Sequence, residues 1–292
     1  LDGRDRAKAR RAGRLRVACA GALPAARQGW RRGGAVSLIR AGGHQLEIRR
    51  YEPVCSWGER PPLVMLHEGL GSVAMWRDFP QRLADATGCA TLAYSRYGYG
   101  SSDPLRESRP VDFMHREAQE TLPELLAALG LVQPILFGHS DGGSIALIHA
   151  GSGHPVAGLI LLAPHLFVEE LSIASIAAAK EAYAATDLRQ RLARYHANVD
   201  GAFRGWNEIW LNPAFREWNI EDYLSRIACP ILAIQGEDDE YGTPEQVRRI
   251  AARAPDTDLL LLKDCRHSPH RDQPQAVLEA SVRLVARATN SA

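Results

Sequence analysis

Gly138-His139-Ser140-Asp141-Gly142-Gly143 places a serine between two glycines, after the apolar run Pro134–Phe137 and before the helical pattern Ser144–Ala150. A G-x-S-x-G turn squeezed between strand and helix forces the serine onto a strained elbow, and the glycines keep neighbouring backbone clear of it. The helix N-terminus then aims amide groups and the positive end of its dipole at any oxyanion formed beside Ser140. The bland alternative is a tight glycine-rich turn with no chemistry. A serine hydroxyl attacks only with a base beside it, and the base needs an acid to orient it. Two later segments offer these groups: Gln235-Gly236-Glu237-Asp238-Asp239 after the apolar run Ile231–Ile234, and Cys265-Arg266-His267-Ser268-Pro269-His270 after Leu259–Leu262.

Each segment carries competitors. Glu237, Asp238 and Glu240 surround Asp239 in what would otherwise be a solvated acidic turn, and His270 competes with His267. His44, His115, His149, His154 and His196 have no comparable context and are expected on the surface or in packing. An acyl-transfer site also needs backbone donors for the oxyanion. The loop Leu66-His67-Glu68-Gly69-Leu70-Gly71-Ser72 suits that need: the Gly69 amide or a neighbour's would partner the amide of Asp141, unless the glycines serve tight turning alone. No H-E-x-x-H or similar ligand spacing occurs, so neither a metal nor a cofactor is expected.

These groups meet only if the intervening elements bring them to one edge of one sheet. Val36–Arg40 and Gln45–Tyr51 flank Ala-Gly-Gly-His and read as a β-hairpin. Leu63–Leu66, Ala90–Tyr94, Ile135–Phe137, Gly158–Leu162, Ile231–Ile234 and Leu259–Leu262 are short apolar runs without alternation, as for strands buried on both faces of a parallel sheet. Helical patterns lie between them at Trp76–Ala86, Phe113–Ala128, Gly142–Ala150, Pro244–Ala254 and Pro274–Arg287, with Pro80 and Pro123 blurring two boundaries. The alternation predicts a doubly wound, mostly parallel eight-stranded α/β sheet, in which ligands bind at the carboxyl ends of the strands. Residues 164–228 break the rhythm with helical pattern, no clear strand and many aromatics, among them Trp206, Trp210, Phe215 and Trp218. A structureless loop of that length is improbable, so a helical insertion is expected there. The domain reading is therefore a tail (1–33), a first core part (34–163), the helical insertion (164–228) and a second core part (229–292).

At 292 residues, with 46% hydrophobic and 24% charged, the chain has the composition of a soluble globular protein. No apolar run approaches the ~20 residues of a membrane span, so no membrane association is expected. Residues 1–33 hold ten basic against two acidic residues, while the rest of the chain carries a net −7. That acidic body gives no reason to expect a nucleic-acid partner. The tail itself is expected to be a disordered extension or a misassigned start. An organelle leader, or a weak secretory segment at Val17–Ala26, explains the same features. Cys19, Cys55, Cys89, Cys229 and Cys265 are odd in number and scattered, which predicts free thiols and a reducing, cytoplasmic setting.

The order His67-Glu68-Gly69-Leu70-Gly71, Ser95-Arg96-Tyr97-Gly98-Tyr99-Gly100-Ser101-Ser102, the Ser140 elbow, Gly236-Glu237-Asp238-Asp239 and His267 resembles the α/β-hydrolase superfamily, from about Val36 to the last helix. The resemblance implies Asp239 as the acid, His267 as the base and a lid in the insertion. It also implies residues lining a substrate site, with Glu68, Leu70, Trp206 and Trp210 as candidates. This chain departs from the superfamily pattern at Glu68, where a second glycine is usual, at Ser95, often aspartate, and at Arg266, usually glycine. A serine at the elbow disfavours the dehalogenase and epoxide-hydrolase chemistries, which use a carboxylate nucleophile. The expected function is hydrolysis of a carboxylic ester of a small apolar or aromatic acyl substrate, with the lid tryptophans either facing the site or only gluing the lid to the core. Alternatives are carbon–carbon hydrolysis of ring-cleavage products, a thioesterase, and a non-catalytic hydrolase-fold receptor. The Ser-Asp-Gly-Gly elbow is also similar to that of biphenyl-hydrolase-like amino-ester hydrolases, in which the aspartate after the nucleophile receives a substrate amine. The simpler expectation for Asp141 is a helix cap.

Overall fold

The computed structural model describes residues 36–55, 60–254 and 256–290; the basic segment 1–33 and Cys19 lie outside the described residues. Strands β1 (Ser37–Ala41), β2 (His44–Tyr51), β3 (Leu63–Leu66), β4 (Thr91–Tyr94), β5 (Ile135–His139), β6 (Gly158–Leu162), β7 (Ile231–Gly236) and β8 (Thr257–Leu262) form one eight-stranded sheet. Their order is β1-β2-β4-β3-β5-β6-β7-β8. β2 runs antiparallel to both β1 and β4, and every other pairing is parallel. The hairpin closes on Gly42 and Gly43, both at positive φ (59° and 78°), a conformation glycine adopts without steric cost.

The helices are α1 (Phe79–Thr87), α2 (Phe113–Arg116), α3 (Leu122–Ala128), α4 (Asp141–Gly151), α5 (Glu170–Ala185), α6 (Leu188–Leu192), α7 (Val199–Trp210), α8 (Glu245–Arg253), α9 (Pro269–Asp272) and α10 (Pro274–Asn290). They cover both faces of the sheet, because successive strand residues point to opposite sides. On one face, Val64 and Leu66 of β3 belong to a continuous core that also takes in Leu122 and Leu125 of α3, Ile145 and Ile148 of α4, and, toward β7 and β8, Val247 and Ile250 of α8. On the other face, Leu63 and Met65 belong to a second core that also takes in Leu83 of α1 and Val277 and Leu284 of α10. Burial on both faces explains why the central strands read as unbroken apolar runs. β8 departs from that expectation: it is the sheet's edge, and Leu259 is 39% exposed.

Two helix boundaries shift around proline. α1 starts at Phe79 rather than Trp76, since Val73–Trp76 forms a separate 3₁₀ turn and Pro80 sits in the first turn of α1, where its missing N–H has no helical partner to lose. The stretch 113–128 is interrupted by a π-wound turn, Glu117–Thr121, immediately before Pro123. Proline cannot donate to the carbonyl of residue 119 and crowds it, and the widened turn relieves both.

Between β6 and β7 the chain runs through α5, α6, α7 and the 3₁₀ turns Pro213–Phe215 and Glu221–Arg226. An isolated bridge from Phe167 to Asn219 ties the two ends of that segment. No helix among the described residues is long and apolar enough to cross a membrane. Cys89, Cys229 and Cys265 are free thiols, whereas Cys55 is disulfide-bonded. The expectation of free cysteines throughout is corrected there. Cys89 and Cys265 are buried inside the domain, while Cys55 is half-buried on the loop beyond β2.

Candidate active site

Ser140 sits directly after β5 and begins α4 with φ 53° and ψ −121°, backbone angles costly for any residue with a Cβ. The neighbours enforce this turn. A Cβ on Gly142 would lie 2.1 Å from the Leu66 carbonyl oxygen, so only glycine lets α4 approach the end of β3 so closely. The Ser140 N–H donates to the Leu162 carbonyl at 2.8 Å, anchoring the elbow to β6.

β7 and β8 are parallel neighbours with Gly236 opposite Leu262, so the loops that follow them emerge side by side. Asp238 N–H bonds the Cys265 carbonyl at 3.0 Å and locks the two loops together. His267 Nε2 then lies 2.9 Å from Ser140 Oγ, and His267 Nδ1 lies 2.9 Å from both carboxylate oxygens of Asp239. Asp239 also accepts from Gln235 Nε2 at 2.6 Å and from the Tyr241 N–H at 2.8 Å, which fixes its carboxylate toward the ring. Glu237, Asp238 and Glu240 are exposed. His270 is buried with its ring against Trp76 and Phe79, 4.9 and 5.5 Å between centroids, and burial drives its pKa well below the ordinary value.

The charges suit a base and its orienting acid. Burial raises the Asp239 pKa, but the charge and hydrogen bond of His267 outweigh it and leave the carboxyl below its usual value. Burial opposes protonation of His267, yet Asp239, with Glu240 and Glu68 farther off, holds its pKa above the ordinary histidine value. The arrangement can take a proton from Ser140 Oγ while Asp239 keeps the Nδ1–H tautomer in place.

Gly69 and Asp141 both line the cavity above Ser140. Among the described residues, neither backbone N–H donates to another protein group, so both are available to an oxyanion. Gly69 must be glycine, because a Cβ there would lie 2.3 Å from the Trp206 indole.

The cavity holds about 150 Å³. Glu68, Leu70, Trp206 and Trp210 line it, as do Ile176, Tyr241, His139 and His165, four residues that the sequence reading did not select. Position offered a signal for His165, which lies three residues past the end of β6 at the carboxyl edge of the sheet. Burial pushes its pKa down to about 3, so the ring is neutral. His139 contacts the His267 carbonyl through Nε2 at 2.7 Å, and its Nδ1 faces Glu68 Oε2 at 3.4 Å. Burial raises the Glu68 pKa, but His139, Arg271 and His67 together hold it well below the ordinary value, so Glu68 brings a negative charge to the cavity wall. His196, expected in packing, is buried and spans two loops: Nε2 contacts the Leu70 carbonyl at 2.9 Å and Nδ1 accepts from the Gly100 N–H at 3.0 Å.

The insertion's aromatics divide in two. Trp206 and Trp210 of α7 face the cavity, while Phe215 and Trp218 stack on each other at 5.3 Å and pack against Trp210 from behind. Asp141 departs from expectation. Its side chain makes no cap hydrogen bond; it is 1% exposed, with Oδ1 accepting from Trp210 Nε1 at 3.2 Å and Oδ2 3.9 Å from Arg96 Nη2. The tryptophan above holds one carboxyl oxygen, and the side chain does not cap α4.

A strained serine elbow, a histidine between serine and aspartate, and two free amides at the carboxyl edge of this sheet are the arrangement of an α/β-hydrolase fold. Residues 63–280 match the model of the alpha/beta hydrolase family, and the chain belongs to that family. It is 31% identical over 105 residues to a proline iminopeptidase of Lactobacillus helveticus, a match covering 36% of this chain and 35% of that protein. The chain thus spans about a third of the length of the curated relatives it matches. Among solved structures, a proline iminopeptidase of Mycobacterium smegmatis superposes with TM-score 0.72 at 19% identity, covering 88% of this chain and 99% of that one. A thermophilic esterase of Thermogutta terrifontis gives 0.69 at 18% identity, covering 87% and 99%. An enol-lactonase of Burkholderia xenovorans gives 0.66 at 17% identity, covering 86% and 100%. At these identities the structural likeness shows the shared fold.

Proposed function

We propose that the chain hydrolyses carboxylic esters with a small apolar or aromatic acyl group, through an acyl-enzyme on Ser140. The observation that carries this reading is the continuous contact from Ser140 Oγ through His267 to Asp239, beneath a cavity walled by Leu70, Ile176, Trp206 and Trp210. Ser140 Oγ attacks the acyl carbon while His267 Nε2 accepts its proton, and the amides of Gly69 and Asp141 bind the oxygen as it gains charge. His267 then gives the proton to the departing alkoxide. In the second half it deprotonates a water that releases the acid and restores Ser140. In this reading α5 to α7 form the lid, and the partner is a small-molecule acyl substrate.

Glu68 supports a second reading, an aminoacyl substrate whose cationic amine pairs with the cavity carboxylate. The iminopeptidase name of the L. helveticus relative favours the same substrate type. Turnover of p-nitrophenyl butyrate and of proline p-nitroanilide separates the two readings. In either case Ser140→Ala is expected to lower kcat at least about 10⁴-fold while the protein stays folded, because triad members act as a unit. A fluorophosphonate is expected to label Ser140 alone. Labelling elsewhere, or a Ser140→Ala enzyme within tenfold of wild type, sinks the nucleophile assignment, and a single slow event without repeated turnover would point to a receptor.

A further inference from the structure

The two oxyanion amides belong to separate loops, and one side chain that does not line the cavity reaches both. Arg96 follows β4, and its side chain is 2% exposed. Its backbone N–H donates to Nε2 of His67 at 3.0 Å. That bond leaves the proton of His67 on Nδ1, where it donates to the Glu68 carbonyl at 2.7 Å. The guanidinium adds two further donors to the same loop: Nη1 to the His67 carbonyl, and Nη2 to the Glu68 carbonyl at 3.0 Å. On its other side, Nη2 stands 3.9 Å from Oδ2 of Asp141, the residue whose amide is the second oxyanion donor.

Peptide geometry turns these contacts into an orientation. The Glu68–Gly69 bond is trans and planar, so its C=O and N–H point in opposite directions. A carbonyl held from behind by Arg96 and His67 therefore turns the Gly69 N–H away from them, toward the cavity that Gly69 lines. A planar guanidinium holds its donors in a fixed fork toward two neighbouring carbonyls while its charge faces a third group; an ammonium has three donors but, on a flexible stem, fixes no such geometry. We propose that Arg96 is the positioning residue of the oxyanion hole. It holds the Gly69 amide through two carbonyls and the first turn of α4 through the Asp141 carboxyl, so that both amides meet one oxygen. The proposal rests on the serine-hydrolase reading and assigns a task to the Ser95–Ser102 segment that the triad leaves unexplained.

Phosphonylation of Ser140 by a fluorophosphonate tests it without assuming a natural substrate, since the phosphoryl oxygen must enter the same hole. Arg96→Lys is expected to fold, to lose about 100-fold in labelling rate, and to lose kcat by the same factor for a p-nitrophenyl ester with KM little changed, the pattern of an interaction made in the transition state. Arg96→Ala is expected to regain rate with methylguanidinium and not with methylammonium. A labelling rate in Arg96→Lys within threefold of wild type overturns the proposal, as does a loss that tracks only the fraction of protein folded. Should both variants fail to fold, the wild-type phosphonate adduct decides. Its phosphoryl oxygen is expected within hydrogen-bond reach of the Gly69 and Asp141 amides with the Arg96 contacts intact, and an oxygen bound elsewhere overturns the assignment. Absence of labelling in wild type would instead remove the hydrolase reading itself.

Discussion

Trp210 donates its indole N–H to Asp141 Oδ1 across 3.2 Å, so the residue after the nucleophile is fastened to the helix that roofs the site. Both partners are buried, and a carboxyl that loses such a donor pays a desolvation cost. Trp210→Phe keeps the aromatic wall and removes only the donor. It is expected to destabilise the fold by about 2 kcal/mol and to lower kcat/KM, read by urea unfolding and ester hydrolysis. Unchanged stability would mean that the bond is not maintained in solution.

The pH profile follows from His267. A base must be neutral to take the serine proton, and the Asp239 charge raises the His267 pKa. Activity as kcat/KM is thus expected to fall on acidification with a midpoint above about 6.5, the unperturbed histidine value. Asp239→Asn removes the cause, so the midpoint is expected to move down along with a loss of about 10⁴-fold in kcat. The stability linkage has the corresponding sign. The His267–Asp239 contribution is present between the unfolded carboxyl and unfolded histidine pKa values; it fades as pH rises through the folded histidine pKa and as pH falls through the depressed Asp239 one. A midpoint at or below 6.5 in wild type would contradict the electrostatics.

His267 and His270 stand three residues apart in quite different surroundings. His267→Ala is expected to abolish turnover. His270→Ala is expected to leave most of it and to cost about 2 kcal/mol of stability, because it empties a site packed between Trp76 and Phe79. Kinetics and denaturant melts of the two variants check the assignment, and a reversed pattern refutes it.

Cavity size limits the acyl group. A cavity of about 150 Å³ accepts a benzene-sized ligand. Each buried methylene contributes about 0.8 kcal/mol until the space is filled. Across p-nitrophenyl esters, kcat/KM is expected to rise from acetyl to butyryl and benzoyl and to fall at octanoyl. A flat series, or an octanoyl optimum, would show that the tryptophan roof does not bound the substrate.

Much of this protein was legible in one dimension because the signals are local. Unbroken apolar runs mark strands buried on both faces, Gly42-Gly43 marks the hairpin, and the spacing Gly138-His139-Ser140-Asp141-Gly142 marks a strand-to-helix elbow whose close backbone approach needs glycine on either side of the serine. The resemblance singled out Asp239 and His267, and the structure brings both to Ser140 because β7 and β8 end side by side. Other features depend on contacts between residues far apart in the chain, which no local pattern encodes. The Asp141 side chain reads in sequence as a helix cap or an amine receiver, and its contact with Trp210, 69 residues onward, is set only by the fold. Trp206, Trp210, Phe215 and Trp218 are equivalent as letters, yet the packing of α7 turns two toward the cavity and leaves two behind it. His165, His139 and Glu68 became cavity walls only when three strand ends met, and Arg96 acquired its partners only when the loop after β4 folded under the loop after β3. Local sequence determined which residues could react, and tertiary packing decided which of them face one another, because side-chain direction depends on what lies across the fold.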